Sequence, residues 1–220
     1  MSIDTGYIII WLDAHIGAEK NCQEMKQKFQ VGLVEAAAVP PDLIDVLICD
    51  MSKCGAPIEF AQTNEDALNL IEKNLGRSKK IIFISSASLG REIIPEIQKK
   101  EFHIESYYIF CGDMKRHRDW AEDLINDGLE VQMFDHEVTL LIRLCRDMSN
   151  ILIEDGKTSL SQKEPEIALA YFKYAYALAD KAVEYDKPKD PKDPNVLHRP
   201  STAYRGLLDH LINTAKQALQ

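Results

Sequence analysis

The chain has 220 residues, 45% apolar, 28% charged and 8% aromatic, and its 35 acidic and 26 basic side chains leave a net charge of −9. Such a composition is that of an ordinary globular protein and excludes disordered, collagen-like and disulfide-scaffold readings. The charge is uneven: residues 1–137 carry 14 basic and 24 acidic side chains (net −10), and residues 138–220 carry 12 and 11 (net +1).

The first element in the chain is Tyr7 to Leu12, YIIIWL, a short apolar run rich in β-branched and aromatic residues. Unbroken rather than alternating, it reads as a strand buried on both faces. It is far short of the ~20 residues a membrane span needs, and it follows Asp4 rather than a basic segment, so no signal peptide is expected. From Gly17 to about Phe29 the pattern turns polar at helical spacing (Cys22, Met25, Phe29). The region 31–62 admits more than one reading, with Pro40-Pro41 and Cys54-Gly55-Ala56-Pro57 as turn punctuation. Within it Leu43 to Cys49 looks like a strand, and Ile58 to Gln62 like another; only one can be the regular second strand unless the sheet has an extra member. Thr63 is placed to cap a helix over 64–74 that ends at Leu75-Gly76.

The strand–helix alternation then repeats. Ile81-Ile82-Phe83-Ile84 leads into the small polar stretch Ser85-Ser86-Ala87-Ser88 and a helix near 90–100. Ser106 to Phe110 leads into Cys111-Gly112-Asp113 and a helix with Trp120, Ala121, Leu124 and Ile125 on one face, stopped by Asp127-Gly128. Leu129 to Phe134 is the last strand, closed by Asp135. Strands alternating with helices of this length imply right-handed βαβ crossovers. The expected fold is therefore α/β: a doubly wound, mostly parallel, flavodoxin-like sheet of five to six strands over residues 1–137.

From Val138 the character changes. Residues 138–153 are apolar nearly all round, so this helix is expected between two layers. After Gly156 a long helix over 164–185 carries Pro165 in its first turn. Residues 187–200, KPKDPKDPNVLHRP, hold four prolines and read as an extended loop. Ser201 is placed to cap a final helix whose stripe is Tyr204, Leu207, Leu208, Leu211, Ile212, Ala215 and Leu219. Residues 138–220 thus form a small three-helix unit.

Several functions are excluded by what these segments lack. There is no basic stripe for nucleic acid; the nearest patch, Lys115-Arg116-His117-Arg118, runs at once into Asp119, Glu122 and Asp123. Five cysteines, none in a C-x-x-C pair, read as reduced, mostly buried thiols in a cytoplasmic protein. Six scattered histidines never take zinc spacing with a cysteine pair. No metal or cofactor is expected, save that acids gathered at one edge could hold Mg²⁺.

In a doubly wound sheet ligands bind outside the carboxyl ends of the strands. The residues placed there are Asp13, Asp50, Ser85, Ser86, Ser88, Cys111, Gly112, Asp113 and Asp135. Mg²⁺ takes one or two carboxylates and keeps its waters; equally, Asp and Ser after strands serve as turn formers and helix caps.

Pro41 to Asp50, PDLIDVLICD, resembles the third strand of a response-regulator receiver. That resemblance implies Asp50 as phosphoacceptor, Asp13 as a Mg²⁺ ligand and Ser85 or Ser86 as the switch hydroxyl. Receivers carry two acids after their first strand, where Leu12-Asp13-Ala14 has one, and a lysine after their last, where Phe110-Cys111 stands. Cys111-Gly112 is similar to the nucleophile position of caspase-like folds, but the preceding loop has no histidine to act as base. Toll/interleukin-receptor-like NAD-cleaving domains share the layer order and need a glutamate beside the cleft, for which Glu65, Glu92 and Glu96 qualify by type only.

A broader resemblance covers nearly the whole chain. Ile9 to Asp13 with Ile16-Gly17, Ile58 to Ile71, Ile81 to Gly90, and Tyr108 to Cys111 with Trp120 look like an uncharacterised receiver-like α/β module. In that family the module stands ahead of tetratricopeptide or ADP-ribosyltransferase regions. Glu166 to Phe172, with Ala175 and Leu178, is similar to half of a tetratricopeptide hairpin. The resemblance implies that 58–62 is the second strand and 31–57 an insertion, and it supplies no catalytic residue. A lone tetratricopeptide-like unit must bury its faces elsewhere, and Tyr171, Phe172, Tyr174, Tyr176 and Tyr185 would either form its core or line a peptide groove. The expected function is a non-catalytic signalling or scaffolding module that binds a protein partner or itself. The alternatives are a Mg²⁺-dependent phosphoacceptor or small-ligand switch, and a hydrolase or NAD-cleaving enzyme.

Overall fold

Tyr7–Leu12 is a strand, β1, and all six of its side chains are buried. The computed structural model describes residues 5–15, 57–186 and 202–220. After β1 come β2 (Ile58–Ala61), α1 (Asn64–Leu75), β3 (Lys80–Ser86), α2 (Ala87–Lys99), β4 (Ser106–Phe110), α3 (Met114–Asn126) and β5 (Val131–Phe134). Three helices follow: α4 (Glu137–Ser161), α5 (Pro165–Tyr185) and α6 (Thr202–Gln217). The helix expected over 17–29, the strand expected over 43–49, Asp50, the loop 187–200 and the cap Ser201 lie outside the described residues.

The strands form one sheet in the order β2-β1-β3-β4-β5, every neighbouring pair parallel. This is the flavodoxin-like order, whose topological switch lies between β1 and β3. The second strand beside β1 is Ile58–Ala61, in register as Trp11 to Phe60 and Leu12 to Ala61.

Strand geometry sends alternate side chains to opposite faces. Ile8, Ile10, Leu12, Ile81, Phe83, Tyr107 and Ile109 pack in one cluster with Ala67 and Ile71 of α1, Ile93, Ile94 and Ile97 of α2, and Ala121 and Leu124 of α3. The other set, Ile9, Trp11, Ile82, Ile84 and Tyr108, is at most 1% exposed. On that second face aromatic rings run across the sheet: Trp11 lies 6.0 Å from Phe60 and meets Phe110 edge-on at 5.9 Å, and Tyr108 stacks on Phe134 at 5.8 Å.

The helix ends show why the elements stop where they do. The Thr63 hydroxyl accepts the Asp66 N–H and caps α1, as its residue type requires. At the end of α3, Gly128 takes φ +87°, and Gly128 and Leu129 donate to the Ile125 and Leu124 carbonyls, a Schellman closure. The same closure ends α2 with Glu101 at φ +54° and α4 with Lys163 at φ +64°.

Four details differ from expectation. Ser85 and Ser86 belong to β3 and α2 begins at Ala87 with no intervening loop. The last strand starts at Val131, two residues later than expected: Leu129 closes α3, and the Glu130 carbonyl accepts the Tyr107 N–H ahead of the strand. Ile125, expected on the buried face of α3, is 52% exposed. Gly156 does not end a helix: it lies inside α4, where a Cβ would come within 2.6 Å of the Phe172 ring. Glycine is there so that the ring can press against the backbone.

The chain divides into two compact units. Among the described residues one unit holds 6–15 and 57–140, and the other holds Thr5, 141–186 and 202–220. Within the helical unit Ala168, Leu169, Phe172 and Ala215 form a core, with Leu160, Leu211 and Ile212 packed against it. Phe172 and Tyr174 are core residues, at most 1% exposed, whereas Tyr171, Tyr176 and Tyr185 are half-buried. Cys145 of α4 is completely buried, and burial pushes its thiol up to about 12, with Lys181 acting weakly against the rise.

The neutral thiol is therefore the folded form. Cys145 has no effect on the pH dependence of stability below about pH 9, the free-thiol value. As pH rises from there toward 12 it costs up to about 1.4 kcal/mol of stability per unit. Urea unfolding across that range is expected to show a shallower decline for Cys145→Ala than for the parent chain, and equal slopes would refute the assignment.

Candidate functional site

Each strand of the sheet turns polar where it leaves the core, and these turning points define the rim. Leu12 is level with Ser85, Ser86 with Phe110, and Phe110 with Phe134. Asp13, Ser86, Cys111 and Asp135 therefore stand in sequence along the carboxyl edge of β1, β3, β4 and β5. Ser88 is exposed in the first turn of α2, and Asp113 caps α3. Asp50 lies outside the described residues.

The carboxylates at the two ends of this edge, Asp13 and Asp135, do not converge. Asp13 and Asp135 stand three strand spacings apart, about 14 Å at ~4.8 Å per strand. Mg²⁺ holds its oxygens at ~2.1 Å, so two aspartate side chains cannot share one ion across that gap. Among the described residues no three His, Cys, Asp or Glu side chains come together as a metal-binding group.

What these acids do is local. Asp13 Oδ1 accepts the His15 N–H at 2.8 Å, while the Asp13 N–H donates to the Ala61 carbonyl; the side chain folds the turn that leaves β1. Asp113 Oδ1 accepts the Arg116 N–H at 3.3 Å and caps α3. The exposed Asp135 follows β5.

Cys111 is 9% exposed. Burial pushes its thiol up, a backbone hydrogen bond with Asp113 works against the rise, and the Asp135 and Asp113 carboxylates add to it. A thiolate is what a cysteine nucleophile needs, and each nearby charge disfavours it. Alkylation of Cys111 by iodoacetamide at neutral pH is expected to be slower than that of a free cysteine and to accelerate steeply above pH 9; a rate equal to the free thiol would overturn this reading.

The sequence did not reveal the situation of Ser85. It is fully buried, and its Oγ has no hydrogen-bond partner. It points into the helix-covered face beneath Gly90, where a Cβ would lie 2.7 Å from the hydroxyl and 3.1 Å from the Trp120 ring. Ser85 and Gly90 occupy the N′ and N4 positions of α2, where a helix start commonly packs two side chains together. That spacing was the available signal. Arg91 lies over the Trp120 ring at 5.0 Å and holds the indole over this corner. Ser86, the N-cap residue, makes no side-chain cap bond.

An unpaired buried hydroxyl costs about 1–3 kcal/mol. Ser85→Ala is therefore expected to leave stability unchanged or to raise it, whereas Gly90→Ala should lose about 1–3 kcal/mol by overpacking. Urea denaturation of both variants checks this, and a large loss in Ser85→Ala would show that the hydroxyl has a partner. No protein-family model matches the chain, and neither a curated protein nor a solved structure matches it.

Proposed function

We propose that the chain is a non-catalytic signalling or scaffolding module that acts by protein–protein interaction or self-association through its helical unit. The observation that carries this reading is on α6, where Leu207 is 42% exposed although it belongs to the helix's apolar stripe; Leu219, just beyond the helix end, is equally exposed. An apolar side chain left out of the core at one flank of an amphipathic helix is available to a partner. The half-buried Tyr171, Tyr176 and Tyr185 of α5 add amphipathic side chains of the kind enriched at interfaces.

Two further points support the reading. The rim groups are engaged in the fold itself: Asp13 in its turn, Asp113 in its cap and Ser85 beneath Gly90. The resemblance to receiver-like modules that precede tetratricopeptide regions is also one to assembly parts rather than to a named reaction.

Sedimentation of the full chain over a wide concentration range tests the reading. Association that weakens in Leu207→Asp, with helicity unchanged by circular dichroism, is the expected result. A chain that stays monomeric throughout, or association indifferent to Leu207→Asp, removes the self-association form. Turnover of NAD would replace the reading with an enzyme. Mg²⁺-dependent phosphorylation by a small phosphodonor, abolished in Asp50→Asn, would replace it with a switch.

A further inference from the structure

The three helices of the second unit are not equally held. α5 buries eight residues, among them Ala168, Leu169, Phe172, Tyr174 and Leu178. α6, of 16 residues, buries only Leu208 and Ala215 among its described side chains. Leu211 and Ile212 are half-buried, and Leu207 is exposed. The apolar surface that binds α6 to its neighbours is thus small, and hydrophobic stabilisation scales with that surface.

Its polar ties, by contrast, sit together in one turn. Ser149 of α4, fully buried, spends its proton on the Ala175 carbonyl of α5 at 2.7 Å. Ser149 Oγ and the Tyr204 hydroxyl are hydrogen-bonded at 2.8 Å. The Tyr204 hydroxyl also donates to Asn150 Oδ1 at 3.0 Å, so it joins two side chains of α4. The next residue, Arg205, pairs with Asp180 of α5 at 2.6 Å; both are substantially exposed, and such pairs contribute little. The Tyr204 hydroxyl thus ties α6 to a fully buried polar group, Ser149.

We propose that α6 is a detachable strap: it opens from α4 and α5 as a unit while they stay folded, and the Tyr204 hydroxyl is the clasp that holds it shut. Proteins open in cooperative segments whose free energies run from near zero to the global value, and segments with few buried apolar contacts open first. α6 meets that condition and α5 does not. Opening bares Leu169 and Phe172, so the strap controls access to the apolar face of α5. This conformational device does not depend on the interaction reading, and no partner is needed to test it.

Hydrogen exchange on the full chain, read by mass spectrometry, gives the test. In the parent protein the amides of α6 are expected to exchange faster than the slowest amides of α5. Tyr204→Phe keeps the ring and removes the clasp; it should speed exchange in α6 roughly tenfold, the upper end for hydrogen bonds of this kind, and leave α5 and the sheet unchanged. Asn150→Ala removes the second α4 partner of Tyr204 without touching α5 and should accelerate exchange in α6 in the same direction. Equal protection of α6 and α5 in the parent, no change in α6 in Tyr204→Phe, or acceleration spread evenly over all three helices would each overturn the proposal.

Discussion

Burial of β1 and β3 on both faces is the constraint from which the rest of the sheet unit follows. No residue of β1 is exposed beyond 3%, and Ile81 to Ser85 of β3 are completely buried. A strand in that position must be apolar on every residue, and it must be reached by crossovers because its neighbours are parallel. Each large side chain so buried contributes about 1.5–3 kcal/mol, which makes the strand order costly to rearrange. Polar residues can enter only where a strand leaves the core, and this is where Asp13, Cys111 and Asp135 stand. Their alignment in a row is a consequence of where burial ends. Ser85 is the exception, a hydroxyl inside the buried span, tolerated because Gly90 leaves room for it.

The same constraint shapes the chemistry of the rim. Side chains at the ends of β1 and β5 are kept three strand spacings apart by the rigid ladder, so acids that lie in one row do not form one site. Asp13 and Asp113 then act on the nearest backbone N–H groups, the partners within reach of a short side chain. Cys111 lies among burial and negative charge, the reverse of what a thiolate needs. The helical unit offers a different kind of surface. Its middle helix is well buried, while the last one keeps apolar side chains at its flank and depends on a hydroxyl network in its first turn.

Much of this was legible from particular residues. YIIIWL, with no polar break, could only be an inner strand, and the sheet order bears this out. Thr63 ahead of α1, Pro165 at the start of α5 and Asp127-Gly128 after α3 marked helix ends because each residue type solves a terminal hydrogen-bonding or dihedral problem. Glycine was the weaker guide. Gly156 was read as a break, yet it stands inside α4 because Phe172 packs on it, and Gly90 serves Ser85 and Trp120 in the same way. A missing Cβ permits either a turn or a close approach, and only the neighbour brought from elsewhere in the chain decides which. Ile125 and Leu207 lie on their stripes yet are exposed for a related reason: periodicity marks a stripe but not the width of the surface that covers it.

From the sequence alone came the class of fold, the parallel alternation, the three-helix second unit and most helix boundaries, since these rest on local periodicity and terminal hydrogen bonding. Tertiary structure alone decided that Asp13 and Asp135 stand apart, that the Ser85 hydroxyl is sealed under α2, and that Ser149, Ala175, Asn150 and Tyr204 meet. Those outcomes depend on groups separated by tens of residues approaching within a few ångströms. No local pattern encodes that distance; it is set by the register of the ladder and by how completely each helix can bury its face.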